Sequence, residues 1–204
     1  MNTGALWIGP TGETFYAYDG DLGLNSDLTQ DTPPANELWE FTPDGAFGTW
    51  SQVPMPLSSN FSNLIRTTNG IYGTGNGLGF ALGGYVDQFT VLDADTSFEV
   101  AGMVMYNATS QQWYNISSKG YSYDSGFTMG KGLFVPDFGP EGLFFVLGGF
   151  AGDARASFDY AYMFEPISQQ WKFQEVSGDV PAGVTRPCVA GVSSGNGTYE
   201  VCIV

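Results

Sequence analysis

The side chains best suited to chemistry in this chain are carboxylates, and histidine, the residue that most often assists them, is absent from the sequence. The chain has 21 aspartate and glutamate residues, 6 lysine and arginine residues and no histidine, for a net charge of −15. Imidazole is the usual general base near neutral pH and a usual ligand of copper(II). The composition therefore predicts no catalytic residue, no metal site and no cofactor. The same negative charge would repel a phosphate backbone, so no nucleic-acid partner is expected.

Seven aspartates are the candidates for ligand binding, because they lie in polar segments that follow three hydrophobic strands. The segments cover residues 21–36, 85–101 and 150–159. Loops that follow equivalent strands emerge on one face of a repeat protein, which is where such proteins usually bind. Residues 93–99 have the oxygen spacing of a calcium loop but lack its glycine, so a solvated acidic loop is predicted there. The candidates are Asp21, Asp27, Asp87, Asp93, Asp95, Asp153 and Asp159.

A glycosidase is one enzymatic alternative, and the sequence offers little for it. Such an enzyme needs two carboxylates roughly 5–10 Å apart across the sugar bond, and the sequence does not place two acids together. Arg66 and Arg186 each precede a strand of the same type, so we interpret them as structural rather than as a site for an acidic sugar. We therefore expect a module that binds a protein or a glycan without catalysis.

The two cysteines predict a covalent link. Cys188 and Cys202 flank a turn at residues 193–197, and residue 195, inside this turn, is midway between them in the sequence. If the segment is a hairpin with this register, the two side chains lie opposite each other and can form a disulfide. A disulfide would indicate an oxidising compartment. The alternatives are two free thiols or a partner elsewhere.

Four glycosylation sequons also favour an extracellular or cell-surface protein. They begin at Asn60, Asn107, Asn115 and Asn196. Asn60 and Asn196 are predicted in loops, where glycans fit best. The sequence shows no signal peptide and no apolar run of about 20 residues, so no membrane-spanning segment is predicted.

Three repeats position these residues. Each repeat has a hydrophobic strand that ends in a small turn, and the last glycines of the turns, Gly20, Gly84 and Gly149, are 64 and 65 residues apart. A polar segment, a second aromatic strand and a tryptophan follow each turn. A fixed period of this kind is the signature of a repeat architecture. The structural repeat residues are Gly20, Gly83, Gly84, Gly148, Gly149, Trp50, Trp113 and Trp171.

A further strand precedes each of these strands, so the unit is four short strands separated by Gly, Pro, Asn and Ser. Four strands repeated radially make the blade of a β-propeller. We predict an all-β fold of about three and a half four-stranded blades, with the tryptophans packed between adjacent blades. The predicted blades cover about 5–53, 66–117 and 130–176, with a partial blade at 186–204. Propellers close with 4–8 blades, so we expect the chain to be part of a larger propeller. The alternatives are a small closed ring of four blades and assembly from two chains.

The repeats resemble those of the kelch family. A kelch blade has a Gly-Gly pair after a hydrophobic strand, then an aromatic residue, then a tryptophan. Gly83-Gly84, Tyr106 and Trp113 match this pattern, as do Gly148-Gly149, Phe164 and Trp171. The first repeat departs from it, with Asp19-Gly20 in place of Gly-Gly. The chain is most similar to the acidic, glycosylated kelch proteins of filamentous fungi.

The resemblance implies a kelch-type propeller and leaves the activity open, because propellers host many functions. We expect a non-catalytic binding or scaffold module of a secreted or cell-surface protein, with the loops after the glycine turns as its binding surface. The alternative is the propeller portion of a carbohydrate-active, galactose-oxidase-like enzyme whose catalytic residues lie outside this chain. A purely structural surface protein is a third possibility.

Overall fold

The computed structural model describes residues 4–23, 25–33, 35–56, 64–91, 94, 96–119 and 126–204. Its regular structure there consists of β-strands, so the predicted all-β class is confirmed. Two of the predicted binding aspartates, Asp93 and Asp95, and the sequon residue Asn60 lie outside the described residues. No helix in these ranges is long and apolar enough to cross a membrane.

Three antiparallel sheets of four strands form the blades. Within each blade the strands pair in chain order, from the innermost strand to the outermost. Blade 1 contains β1 (Ala5–Ile8), β2 (Phe15–Tyr18), β3 (Leu38–Asp44) and β4 (Phe47–Val53). Blade 2 contains β5 (Ile71–Gly75), β6 (Leu78–Leu82), β9 (Met103–Asn107) and β10 (Gln112–Ile116). Blade 3 contains β12 (Lys131–Val135), β13 (Leu143–Leu147), β16 (Tyr160–Glu165) and β17 (Gln170–Glu175).

Short ribbons and a terminal hairpin complete the fold. The ribbons are β7 (Tyr85–Val86) with β8 (Phe98–Glu99), and β11 (Phe127–Thr128) with β14 (Phe150–Ala151) and β15 (Ala154–Arg155). The hairpin consists of β18 (Val189–Ser193) and β19 (Tyr199–Ile203). The inner strands pack in chain order, β1 against β5, β5 against β12 and β12 against β18.

An aromatic pair recurs at the outer edge of every blade. The last aromatic of the third strand lies directly opposite the tryptophan of the fourth strand in the pairs Phe41–Trp50, Tyr106–Trp113 and Phe164–Trp171. The ring centroids of these pairs are 5.1, 4.7 and 5.2 Å apart. Directly opposed aromatic side chains stabilise a sheet, which explains why both residues recur at a fixed spacing.

Two hydrophobic cores lie between the blades. The core between blades 1 and 2 contains Trp7, Tyr18 and Trp113. The core between blades 2 and 3 contains Phe80, whose ring stacks on Phe144 at a centroid distance of 4.5 Å. Trp113 is 8% exposed and Trp171 packs against the second core. Trp50 departs from the predicted packing between blades, because it is 49% exposed.

The glycine turns connect each blade to the next one. The backbone N–H of the second turn residue donates to a carbonyl in the segment that leads into the next blade or the hairpin: Gly20 to Thr67 at 2.9 Å, Gly84 to Phe127 at 2.6 Å and Gly149 to Val184 at 2.8 Å. All three turns use positive φ angles, which glycine adopts without steric cost. Asp19 takes the place of the first glycine in blade 1 with φ 62°, close to the 65° of Gly83.

The predicted register of the terminal hairpin is wrong by two residues. Cys202 lies opposite Ala190, and Cys188 exchanges backbone hydrogen bonds with Val204. The cysteines are therefore diagonal neighbours, and both are free and exposed. Diagonal residues have Cα atoms about 7–8 Å apart, beyond the usual reach of a disulfide. The predicted disulfide is not formed.

Candidate functional site

An apolar groove of about 460 Å³ lies on the side of the molecule where the glycine turns and their following segments emerge. We call it the loop groove. It is built by the segments after the glycine turns of blades 1 and 2 and by the connection between these blades. Its lining residues are Pro33, Ala35, Asn36, Leu64, Ile65, Arg66, Val86, Thr90, Val91, Ala94 and Phe98.

Arg66 fixes the floor of the loop groove. Its side chain is 3% exposed and donates to three backbone carbonyls: Nε to Gly20 at 2.6 Å, Nη1 to Ala35 at 2.9 Å and Nη2 to Asp19 at 2.5 Å. One guanidinium thus connects the glycine turn of blade 1 and the segment before β3 to the segment that leads into β5 of blade 2. Buried guanidinium groups need such partners, because an unpaired buried charge is costly. This contact confirms a structural role for Arg66.

Arg186 does not have the same role as Arg66. It is exposed, has φ 52°, and corresponds in the repeat to Met129 and Asn69, whose φ angles are 59° and 54°. These three residues form a relay of backbone hydrogen bonds, from Arg186 N to Met129 O at 2.6 Å and from Met129 N to Asn69 O at 2.7 Å. The interpretation of the two arginines as equivalent repeat residues is therefore wrong.

Asp19 places a buried carboxylate beside the loop groove. Its two oxygens accept hydrogen bonds from the backbone N–H of Thr67 at 2.5 Å and from the Thr67 hydroxyl at 2.6 Å. Burial raises the pKa of Asp19 to about 7, although the Thr67 hydrogen bonds and the Arg66 charge oppose the rise. Burial likewise raises the pKa of the neighbouring Tyr18 phenol. A carboxyl with this pKa is part of the connection between blades, and its ionisation couples to their packing.

Two of the predicted binding residues, Asp21 and Asp87, belong to the segments that build the loop groove and are not among its lining residues. Asp21 is 6% exposed, and its Oδ2 accepts a hydrogen bond from the Thr68 hydroxyl at 2.9 Å. Asp87 is half-buried and its Oδ1 accepts from the N–H groups of Phe89 and Thr90 at 2.9 and 3.1 Å. The two Asp87 hydrogen bonds stabilise the turn in which Thr90 and Val91 line the groove.

The other described candidate acids organise their own turns. Asp27 is exposed and accepts from the N–H and hydroxyl of Thr29 at 3.0 and 2.7 Å, which lowers its pKa. Asp159 accepts from the hydroxyl of Ser157. Asp153 is exposed in the turn between β14 and β15. Within the described ranges, no three His, Cys, Asp or Glu residues are grouped so that they could hold a metal ion.

The described sequon asparagines occupy different settings. Asn196 is exposed in the turn of the terminal hairpin, where its Oδ1 accepts from the Thr198 N–H at 3.2 Å. Asn115 is exposed on β10. Asn107 is half-buried at the end of β9, and its Oδ1 accepts from the N–H groups of Thr109 and Ser110, both at 3.0 Å.

The apolar residues of the loop groove are the part of the site that sequence reasoning missed. The binding residues predicted in segments 21–36 and 85–101 are acids, and they do not include Val86, Val91 and Phe98 of the same loops. Leu64 and Ile65 were not predicted to bind either. The available signal was a set of apolar residues, among them Val86 and Phe98, within otherwise polar segments that lie outside the four strands of each blade.

The fold and its repeat residues define a kelch-type β-propeller, as predicted. The chain is similar to a kelch repeat-containing protein of Arthroderma benhamiae, with 23% identity over 231 aligned positions that cover 97% of this chain and 34% of the relative. The resemblance to kelch proteins is thus confirmed. No protein-family model matches the chain.

A solved structure supports the same fold. The structure of YjhT matches with a TM-score of 0.57 and 12% identity, over 92% of this chain and 54% of that one. At this identity the likeness shows the fold alone. The chain spans about a third of the length of the curated relative and about half of the solved chain.

Proposed function

We propose that this propeller segment is a non-catalytic binding module that holds a segment of a protein partner in the loop groove. The observation that carries the proposal is the groove itself: an apolar concavity on the loop face that the repeat pattern favours for binding. Its volume of about 460 Å³ lies within the range of roughly 300–1,000 Å³ that is usual for ligand pockets. A few apolar side chains of a partner would fill it.

The chemistry of the lining favours a polypeptide over a glycan. Ile65 and Phe98 are 43% and 47% exposed at the groove, and most of the remaining lining is aliphatic. Aliphatic and aromatic anchors buried in a pocket dominate the energy of protein interfaces. A glycan would need several hydrogen-bonding side chains around its hydroxyl groups. Arg66 already directs its donors to backbone carbonyls.

The charge of the chain favours a basic partner segment. The net charge is −15, and the exposed acids Asp27 and Asp31 lie in the segment that leads to the groove residues Pro33 and Ala35. Complementary charge raises the rate of association and selects among partners. We therefore expect an apolar segment flanked by lysine or arginine.

An extracellular or cell-surface location is part of this proposal. It is supported by the sequons, of which Asn115 and Asn196 are exposed. Mass spectrometry of the protein purified from its native source, with and without removal of N-linked glycans, tests it directly. A mass shift at Asn196 supports the proposal, and unmodified peptides covering every sequon would contradict it.

A peptide-display selection tests the binding site. A random 12-residue library is selected on the wild-type chain and on the variant Ile65→Lys/Phe98→Lys, whose exposed substitutions should leave the fold intact. We expect sequences with an apolar centre and basic flanks to be enriched on the wild type and not on the variant. The variant Ile167→Lys, 61% exposed in the turn between β16 and β17 on the opposite side, is the matched control. Equal enrichment on all three proteins would overturn the proposal.

A further inference from the structure

A second groove lies between blades 2 and 3, on the side of the molecule opposite the loop groove. We call it the interblade cleft, and its volume is about 360 Å³. Leu78, Met105 and Tyr114 of blade 2 form its floor. Leu78 and Met105 belong to the core between the two blades, where they are 8% and 2% exposed, and Tyr114 packs against that core. The cleft therefore follows from the packing of blade 2 on blade 3.

Polar groups line the edge of the interblade cleft. The exposed residues Asn76, Glu141 and Gln169 come from turns of both blades. The Nδ2 of Asn76 donates to the backbone carbonyl of Glu141 at 3.3 Å and so connects blade 2 to blade 3 beside the cleft. An apolar floor with a few amide and carboxylate groups at its edge suits a neutral sugar ring. The C–H groups of the sugar can pack on the floor, and its hydroxyl groups can form hydrogen bonds at the edge.

A sequon asparagine lies in the same cleft. Asn107 ends β9 and is half-buried, and the strand register places it beside Leu78 of the cleft floor. Its Oδ1 accepts from the N–H groups of Thr109 and Ser110, both at 3.0 Å. These two bonds fix the plane of the side-chain amide, and neither of them uses Nδ2, the atom to which an N-linked glycan is attached. The acceptor residue of the sequon is therefore held in place as part of the cleft.

We propose that the interblade cleft binds the first sugar, an N-acetylglucosamine, of a glycan attached to Asn107. In the native protein this inference rests on the extracellular or cell-surface location proposed above. Attachment joins Nδ2 to C1 of the sugar; a lipid-diphosphate oligosaccharide is the donor, and the lipid diphosphate and one Nδ2 proton leave. The attached sugar has a high effective concentration at the cleft, so weak contacts with the floor and the edge are enough to hold it. It then contacts blades 2 and 3 together.

Hydrogen exchange of proteins that keep a single sequon tests the inference. The chain is secreted from a yeast host behind the host's own signal peptide, and the glycans are trimmed enzymatically to one N-acetylglucosamine. One protein keeps only the sequon at Asn107 and a second keeps only that at Asn196, because alanine replaces the third residue of the other sequons. Each is compared with the same sequence made without glycans in bacteria. We expect the Asn107 sugar to slow exchange at least about threefold in the turn between β16 and β17, residues 166–169 of blade 3. The sugar on Asn196, which is exposed in the hairpin turn, should leave that exchange unchanged.

Two substitutions distinguish binding in the cleft from an indirect effect of the glycan. Ile167→Lys changes a cleft residue that is 61% exposed, so the sugar should stay attached to Asn107 while the slowed exchange is lost. Ile65→Lys, 43% exposed in the loop groove, is the matched control and should retain the full effect. An unmodified Asn107, or equal exchange with and without its sugar, overturns the inference. Because the host supplies the secretion signal, neither result depends on the location of the native protein.

Discussion

The glycine turns of blades 1 and 2 adopt the same backbone shape with different chemistry. The φ angles are 62° and 90° at Asp19 and Gly20, and 65° and 98° at Gly83 and Gly84. A Cβ at Gly83 would lie 2.3 Å from the carbonyl oxygen of Phe127, so no side chain fits there. At Asp19 the side chain has room and accepts hydrogen bonds from Thr67. The repeat thus requires a backbone conformation, and glycine only where the next blade approaches closely.

The turns of blades 1 and 2 also differ in whether they contact the wall of the loop groove. The turn of blade 2 reaches the next blade through the backbone bond from Gly84 N to Phe127 O. The turn of blade 1 adds Arg66, which donates to the turn and to Ala35 in the wall of the loop groove. The connection between blades 1 and 2 therefore supports the binding loops directly. Substitutions at the two turns should have different consequences.

Gly83→Ala should have the largest effect on stability. The new Cβ would meet the carbonyl of Phe127 in a backbone conformation that L-residues disfavour, so we expect a loss of about 3–5 kcal/mol. Gly12→Ala is the matched control, since Gly12 has φ 77° and open space around its Cβ position, and it should cost about 1–2 kcal/mol. Urea unfolding measures both. Equal losses would show that the close approach of Phe127 is not what requires glycine at this turn.

Arg66→Met should have the next largest effect and should extend to the loop groove. The variant leaves three backbone carbonyls without their donor, two of them buried at Asp19 and Gly20, which corresponds to a loss of about 2–4 kcal/mol. Hydrogen exchange should quicken in segment 35–38 as well as at the turn of blade 1. Arg155→Met, which changes an exposed arginine, should alter stability by less than about 0.5 kcal/mol. Unchanged exchange in segment 35–38 would contradict the coupling of the turn to the groove.

The turn of blade 1 should make stability depend on pH. Because burial raises the pKa of Asp19 from 3.8 to about 7, the folded state holds this proton more tightly than the unfolded state. Its contribution to the free energy of unfolding is therefore full at low pH. It falls by up to about 1.4 kcal/mol per pH unit between pH 4 and 7. Asp19→Asn keeps the shape and cannot ionise, so its difference from the wild type should change over that interval. Parallel curves for the two proteins would contradict a protonated Asp19.

The sequence predicted the elements of the fold because they follow strict local patterns. The spacing from the last aromatic to the tryptophan reflects contacts within one blade, such as Tyr106 with Trp113. The glycine turns reflect the contact that each blade makes with the segment leading into the next blade. The terminal hairpin was placed correctly, but its register was not. Its strands are largely exposed on both sides, and register is weakly specified where no face is buried.

The site was only partly accessible to sequence reasoning. The loops were predicted from the repeat, since their position follows from the topology. The groove was not, because Leu64, Ile65 and Phe98 come from separate segments and meet only after two blades pack together. The acids were the visible signal, yet Asp27, Asp87 and Asp159 mainly accept hydrogen bonds within their own turns. Asp21 and Asp153 remain candidate ligands of a partner.

The loop groove as the binding surface is tested most directly by calorimetric titration with a peptide selected on the wild-type chain. The peptide is titrated into the wild type, Ile65→Lys and the control Ile167→Lys, after urea unfolding has shown that their stabilities agree within about 0.5 kcal/mol. We predict that Ile65→Lys weakens binding by at least about tenfold, as expected when an apolar contact is replaced by a charge. Ile167→Lys should bind like the wild type. Equal affinity of Ile65→Lys and the wild type would contradict the assignment of the groove.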